Sequence, residues 1–265
     1  MFFTSAEIAL QNRSFLFGDS VKVYFFVRNS ELIMAEECYF FLMASMRKMR
    51  MNIPLSYTLE FFQQLFLENV IQKGFSNGII NFMAFRNLEN GNFSKSTTEF
   101  YFDVTSKEDI LELGKPFTMD MIKEITVNTG LLDNIRVHCP ENIYSEIYAA
   151  ENDLDDLILL NPSKRIARSI YGNLLFLQEN VIKIPKQTEG SFISPLMENF
   201  ITFVHRQNFA EIEQVEMAAF ESQKAEEILM ISDEKGIFPV QKIRNREFGI
   251  SKFTEMLHQW RNSFQ

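Results

Sequence analysis

Few side chains in this sequence are suited to covalent or proton-transfer chemistry. There are three histidines, His138, His205 and His258, and two cysteines, Cys38 and Cys139. His138 and Cys139 are adjacent, which could activate a thiol as a nucleophile, but chain neighbours seldom turn to face each other. The five share no metal-ligand spacing, which argues against a zinc site. Carboxylates gather at Glu211, Glu213 and Glu216, at Glu226-Glu227 and at Asp233-Glu234. The first group reads as a solvated surface, and none follows a metal-binding pattern.

The elements that must position these groups can be read from periodicity and punctuation. Lys22 to Arg28 is rich in aromatic and β-branched residues and predicts a strand. Glu36 to Arg50 predicts a helix with Tyr39, Leu42, Met43, Met46 and Met49 on one face, a core stripe rather than a cofactor box. Thr58 is a plausible N-cap for a second helix to Lys73, ended by Gly74. Strands at Gly78–Phe85 and Thr98–Val104 flank an Asn90-Gly91 turn, a hairpin signal. Around Gly114 and Pro116 the pattern fades, which marks residues 111–122 as a linker. A helix from Glu141 to Asn152 precedes short strands at Asp156–Leu160, Ile166–Ser169, Asn173–Leu177 and Val181–Ile184, read as a meander. Ser194–Phe203 and Phe220–Glu227 read as helical, Ile228–Ile231 as a strand, and Ser251–Arg261 as a last helix. The alternation gives an α+β fold of two subdomains, residues 1–110 and 123–265.

Composition narrows the function classes. The 265 residues are 46% hydrophobic and include 28 Phe, enough for a large packed interior. A formal charge of −9 argues against nucleic acid as the main partner. No apolar run is long enough for a membrane span, and the first residues lack the basic and apolar parts of a signal peptide. Two cysteines without local spacing fit a reducing compartment. The expectation is a soluble cytoplasmic protein.

Several strings, taken in order, resemble the class IV aminotransferases and aminodeoxychorismate lyases. Arg13-Ser14-Phe15-Leu16-Phe17-Gly18-Asp19-Ser20 is similar to the family's opening R-x-F-x-Y-G-D-G/S. Leu160-Asn161 followed by Tyr171-Gly172-Asn173-Leu174-Leu175-Phe176 resembles L-N … N-G-N-L-F. Thr188-Glu189-Gly190 resembles the start of the cofactor-phosphate loop, and Gly236-Ile237-Phe238-Pro239-Val240 a late G-I-x-P-V. The resemblance implies the two-subdomain fold type IV: a small α/β N-terminal domain, a larger C-terminal pseudo-barrel, pyridoxal phosphate as cofactor, and a homodimer.

The residues that would hold and use that cofactor depart from the family together. A string similar to G-L-L-S-N-I precedes the Schiff-base lysine of relatives; here Gly130-Leu131-Leu132-Asp133-Asn134-Ile135 is followed by Arg136. A guanidinium stays protonated and cannot form an imine. Lys123 and Lys164, the nearest lysines, lie in other contexts. Arg168 falls at the glutamate that faces the pyridine nitrogen, where its charge disfavours a pyridinium. In the string similar to H-x-x-R-L, Cys38 replaces the histidine and Phe41 the phosphate arginine. Where the family reads G-I-T/M-R the chain has Ser194-Pro195-Leu196-Met197, and Pro195 has no N–H for a phosphate oxygen. Asp233, a like charge, stands near a later phosphate-side position, and Lys22-Val23 replaces F-E.

Turn-shaping residues persist: Gly18, Asp19, Gly172, Asn173, Gly190, Gly236 and Pro239. The leading expectation is therefore a catalytically inactive member that uses no pyridoxal phosphate. It would serve as a binding or interaction subunit, as a homodimer or beside an active relative, without nucleic acid or membrane. Two alternatives stay open: an active aminotransferase or lyase with a rearranged site, and a pyridoxal-independent binder of an anionic small molecule.

Overall fold

The computed structural model describes residues 1–8, 12–87 and 96–264. The chain forms two compact units, Met1–Ile110 with Ile135–His138, and Leu111–Asn134 with Cys139–Gln265.

In the first unit β1 (Phe2–Thr4), β2 (Ser20–Arg28), β3 (Glu31–Ile33), β4 (Gly78–Arg86) and β5 (Thr98–Ser106) make a sheet in the order β1-β5-β4-β2-β3. All its pairings are antiparallel. The helices are α1 (Arg13–Phe17), α2 (Ala35–Lys48) and α3 (Leu59–Asn69). Thr58 caps α3, its side chain accepting from the Phe61 N–H. Phe62 and Phe66, one turn apart on α3, are fully buried. Their rings meet Phe82 edge-on at 5.4 Å and Phe102 edge-on at 5.4 Å, while Phe25 lies 4.8 Å from Phe66. Phe25, Phe62, Phe66, Phe82 and Phe102 thus form one aromatic interlayer between α3 and the sheet. The Met stripe of α2 is core, with Met43 and Met46 buried. The Asn90-Gly91 turn lies outside the described residues.

The second unit carries β6 (Phe117–Met121), α4 (Pro140–Glu151), β7 (Asp156–Leu160), β8 (Ile166–Ser169), β9 (Asn173–Gln178), β10 (Val181–Pro185), α5 (Pro195–Arg206), β11 (Glu211–Val215), β12 (Glu227–Ser232), β13 (Gly236–Ile243), β14 (Arg246–Glu247) and α6 (Ser251–Asn262). Its nine-stranded sheet runs β11-β10-β9-β12-β13-β6-β7-β8, with β14 on β13. The sheet curls, and the Ile166 N–H donates to Met217 O at 2.8 Å. Ile158 and Leu160 of β7 face the inner cluster with Phe176 and Met230, while Leu157 and Leu159 join Ala149 of α4 on the other side. With both faces covered, all five residues of β7 are buried. Outside β12, α5 and α6 pack through Phe200 and Trp260, ring centroids 5.2 Å apart. Buried Glu227, at the start of β12, accepts from the Lys252 and Phe253 N–H groups, both at 2.9 Å, and so holds the N-terminus of α6.

Several expectations need correction. Residues 111–122 are not a linker, because β6 lies within them, parallel to both β13 and β7. Gly114 is small for close approach: a Cβ there would meet the Phe238 ring at 2.5 Å. Ile135–His138 belongs with the first unit, where the Lys22 N–H donates to Arg136 O at 2.8 Å. The meander is two hairpins, β7–β8 and β9–β10, because β12, β13 and β6 lie between them in the sheet order. Residues 220–227 are not an α-helix but a 3-10 segment, Ala219–Lys224, followed by β12, whose six residues are all buried. The acidic run is solvated surface as expected, with Glu211, Glu213 and Glu216 exposed, but Glu211–Val215 is also an edge strand, parallel to β10.

Candidate functional site

In the second unit, β8 delivers Arg168 and the following turn fixes it. The Arg168 side chain is buried, and its Nη1 donates to the carbonyls of Ser169 at 3.0 Å and Ile170 at 3.5 Å. Its Nη2 lies 3.6 Å from Cys139 Sγ, and the guanidinium carbon stands 4.1 Å over the Phe192 ring. The turn is set by Gly172, where a Cβ would lie 2.2 Å from Ile231 O. Asn173 then holds residue 192 in the manner of a strand partner: its Nδ2 donates to Phe192 O and its Oδ1 accepts from Phe192 N–H, both at 2.8 Å. Asp156 supports the turn from below, its Oδ1 accepting from the Ile170 N–H at 2.9 Å. Complete burial pushes that carboxyl up to about 6.

Downstream of Phe192 the chain enters α5. Ser194 is the N-cap and Pro195 the first helical residue, where a missing N–H does no harm. The Met197 N–H donates to Ser194 Oγ at 3.2 Å. Asp233, which follows β12 and is 2% exposed, brings its Oδ1 to the same place. That oxygen accepts from Ser194 Oγ at 2.7 Å and from the Leu196 N–H at 3.1 Å. A helix N-terminus, with its free N–H groups and positive dipole end, is an anion position, and here the chain's own carboxylate fills it.

Cys139 precedes α4, with its thiol near Glu141 Oε2 at 3.3 Å and Asn142 Oδ1 at 3.5 Å. Burial pushes the thiol up, and the Arg168 charge opposes this only in part. A thiol so placed is a poor nucleophile near neutral pH. His138 packs on Gly18 of the first unit: a Cβ on that residue, whose φ is +65°, would meet His138 Cβ at 2.4 Å. The adjacent pair therefore forms no thiol–imidazole centre.

The first unit holds the other positions that the sequence comparison singled out. Cys38 and Phe41 lie three residues apart on α2, both buried in the core. Arg136 is buried, with its guanidinium carbon 5.9 Å over the Tyr24 ring. Lys22 is exposed on β2 and Val23 is core. Glu234 lies 3.8 Å from Lys235. The structure thus gathers Arg168, Pro195 and Asp233 into one unit, joined through Phe192 and Ser194, and places Cys38, Phe41 and Arg136 in the other. Sequence reasoning named Ser194 but not its role as cap and partner of Asp233, and it missed the bracing role of Asp156; a Ser-Pro step ahead of an apolar periodic run was the available sign for the cap.

The amino-transferase class IV family profile matches residues 27–243. The chain belongs to the class IV aminotransferases. Its fold is the two-subdomain fold type IV, an α/β N-terminal part and a pseudo-barrel C-terminal part. It is similar to a branched-chain aminotransferase from Thermoproteus uzoniensis, with TM-score 0.86 and 15% identity over 97% of this chain and 89% of that one. A 4-amino-4-deoxychorismate lyase from Pseudomonas aeruginosa has TM-score 0.82 and 15% identity, covering 99% and 98% of the two chains. The Escherichia coli branched-chain amino acid aminotransferase gives TM-score 0.82 and 13% identity over 96% and 87%. Identities this low carry the fold alone. No curated protein sequence matches this member. Among its described residues no helix is long and apolar enough to cross a membrane. No group of three or more His, Cys, Asp or Glu among them could hold a metal ion.

Proposed function

We propose that this chain is a catalytically inactive class IV aminotransferase that does not use pyridoxal phosphate and serves as a binding or interaction subunit. One observation carries the reading: the Asp233 carboxylate sits at the N-terminus of α5, bound by Ser194 Oγ and the Leu196 N–H. The family resemblance assigns this loop to the cofactor's phosphate. A phosphate there would meet a buried like charge and find two of its donors taken. Replacing a charge-assisted contact with none weakens binding by roughly 1.5–3 kcal/mol, and Phe41 at the arginine position removes another. Arg136 at the lysine position cannot form an imine at all. The residues present therefore do not fit pyridoxal phosphate, and no catalytic step is derived through it. The two cysteines, both free thiols, fit a reducing compartment such as the cytoplasm.

The Asp233 position can be tested with inorganic phosphate as probe. Calorimetry is expected to show no saturable uptake of phosphate or pyridoxal phosphate by the unaltered chain. Asp233→Thr, which removes the charge and keeps a hydroxyl, is expected to gain phosphate binding. Saturable binding of pyridoxal phosphate by the unaltered chain overturns the reading.

A further inference from the structure

At the far end of β13 from Asp233, the second unit carries a groove that the site above does not use. Asp233 precedes β13 and Arg244 follows it, so the length of the strand, roughly 25 Å, separates the two places. The groove has a volume of about 540 Å³, within the range of small-molecule sites rather than of a flat protein-docking face. Its floor is apolar: Met121 at the end of β6, Leu160 at the end of β7, and Phe220 from the 3-10 segment. Its rim is cationic: Lys123, Arg244 and Arg246. No acidic residue lines it, although the whole chain carries a formal charge of −9.

The cations are held in different ways. Arg244 Nε is bound to Asp120 Oδ1 at 2.6 Å, which fixes the plane of the guanidinium beside the groove. Its backbone lies in the left-handed region, φ +55°, in the two-residue turn between β13 and β14. A two-residue hairpin turn requires such a conformation at its first residue. Arg246 Nη2 donates to Ala225 O at 3.1 Å and its guanidinium carbon stands 5.4 Å over the Phe248 ring. The Lys123 ammonium forms no ion pair among the described residues. Phe220 is 68% exposed, and the Lys224 ammonium stands 5.6 Å from its ring centroid, a fourth cation close to the groove.

We infer that this groove binds a small organic anion with an apolar, aromatic-sized body, its acid group held by Lys123, Arg244 and Arg246 and its body laid on Met121, Leu160 and Phe220. The attraction of such a body is the burial of floor and ring, and the rim supplies sign selectivity. The site is independent of the reading of the chain as inactive, and it stands whether or not that reading does.

The test uses the full chain and 1-anilinonaphthalene-8-sulfonate, which joins an aromatic body to one anionic group. N-phenyl-1-naphthylamine, the same rings without the sulfonate, is the neutral control. The expected result is saturable binding of one sulfonate probe per chain, seen also as a shift of the Met121 methyl resonance, assigned with Met121→Leu. Lys123→Gln and Phe220→Ser alter exposed side chains and should leave thermal unfolding unchanged. Each should weaken the sulfonate probe about tenfold, and the neutral probe should bind about tenfold less well than the sulfonate. Phe15→Ser, at an exposed ring of the first unit, should leave binding unaltered. The inference is overturned by absence of saturable binding, by equal affinity for the neutral probe, by an unmoved Met121 methyl, or by binding that follows Phe15 rather than Lys123 and Phe220.

Discussion

At the residue scale, Arg168 and Asp233 are both engaged by structural partners. Arg168 is held by two carbonyls, a sulfur and an aromatic face, dipoles and polarisable groups that help to meet a buried charge. Asp156 is the hidden member of this arrangement, since it braces the turn that carries Arg168's carbonyl partners. Its carboxyl is raised from 3.8 to about 6, so the folded chain favours the protonated form. The stability this group contributes is therefore complete below the lower value and is lost as pH rises through the upper one. Asp156→Asn, a neutral isostere, should remove that dependence. Denaturant midpoints between pH 4 and 7 should show the unaltered chain losing stability relative to the variant, on the order of 2 kcal/mol. A difference that stays constant across the range would show that Asp156 titrates normally.

At the element scale, β12 organises both helices beside it through the carboxylates at its two ends. Glu227 holds the N-terminus of α6 and Asp233 that of α5. Glu227→Ala leaves two helix N–H groups without their acceptor, one of them the buried Phe253 N–H. It should lower stability by about 3 kcal/mol in urea unfolding. A change under about 0.5 kcal/mol would show that water or neighbouring groups take over the role. This pairing was not legible in the sequence, because an Asp or Glu at a strand end looks the same whether it faces water or a helix terminus. The α2 stripe, the Thr58 cap and the β7, β8, β9 and β10 strands were legible, since each rests on local periodicity or a local cap. What failed depended on distant partners. β6 looked like a linker because Gly114, just before it, answers the ring of Phe238, and the strand β11 went unread although its glutamates were rightly taken as surface. Of the candidate site, Arg136, Arg168, Phe41 and Asp233 were singled out only through the family resemblance, and the use to which the fold puts Asp233 was not legible at all.

At the scale of the whole molecule, an acidic chain keeps large apolar side chains outside. Ile143, Tyr144 and Ile147 on α4 are about half exposed, and Leu131 is 72% exposed. Exposed apolar side chains of this size are candidates for an association face, and closed homodimers are the commonest way to cover one. Light scattering at micromolar concentration should give twice the 31.1 kDa chain mass. A monomeric mass would leave the face to a different chain and count against the homodimer.

The central claim, that the family's cofactor chemistry has been given up here, is tested most directly by the visible spectrum of the purified protein. The account predicts a colourless protein that stays colourless after pyridoxal phosphate is added, with no lysine fixed to the cofactor by borohydride. Arg136→Lys alone should behave in the same way, because Phe41, Arg168 and Asp233 remain and residues of one site act as a unit. An absorbance band of an internal imine in the unaltered chain, removed by borohydride with label at a single mapped lysine, would contradict the account.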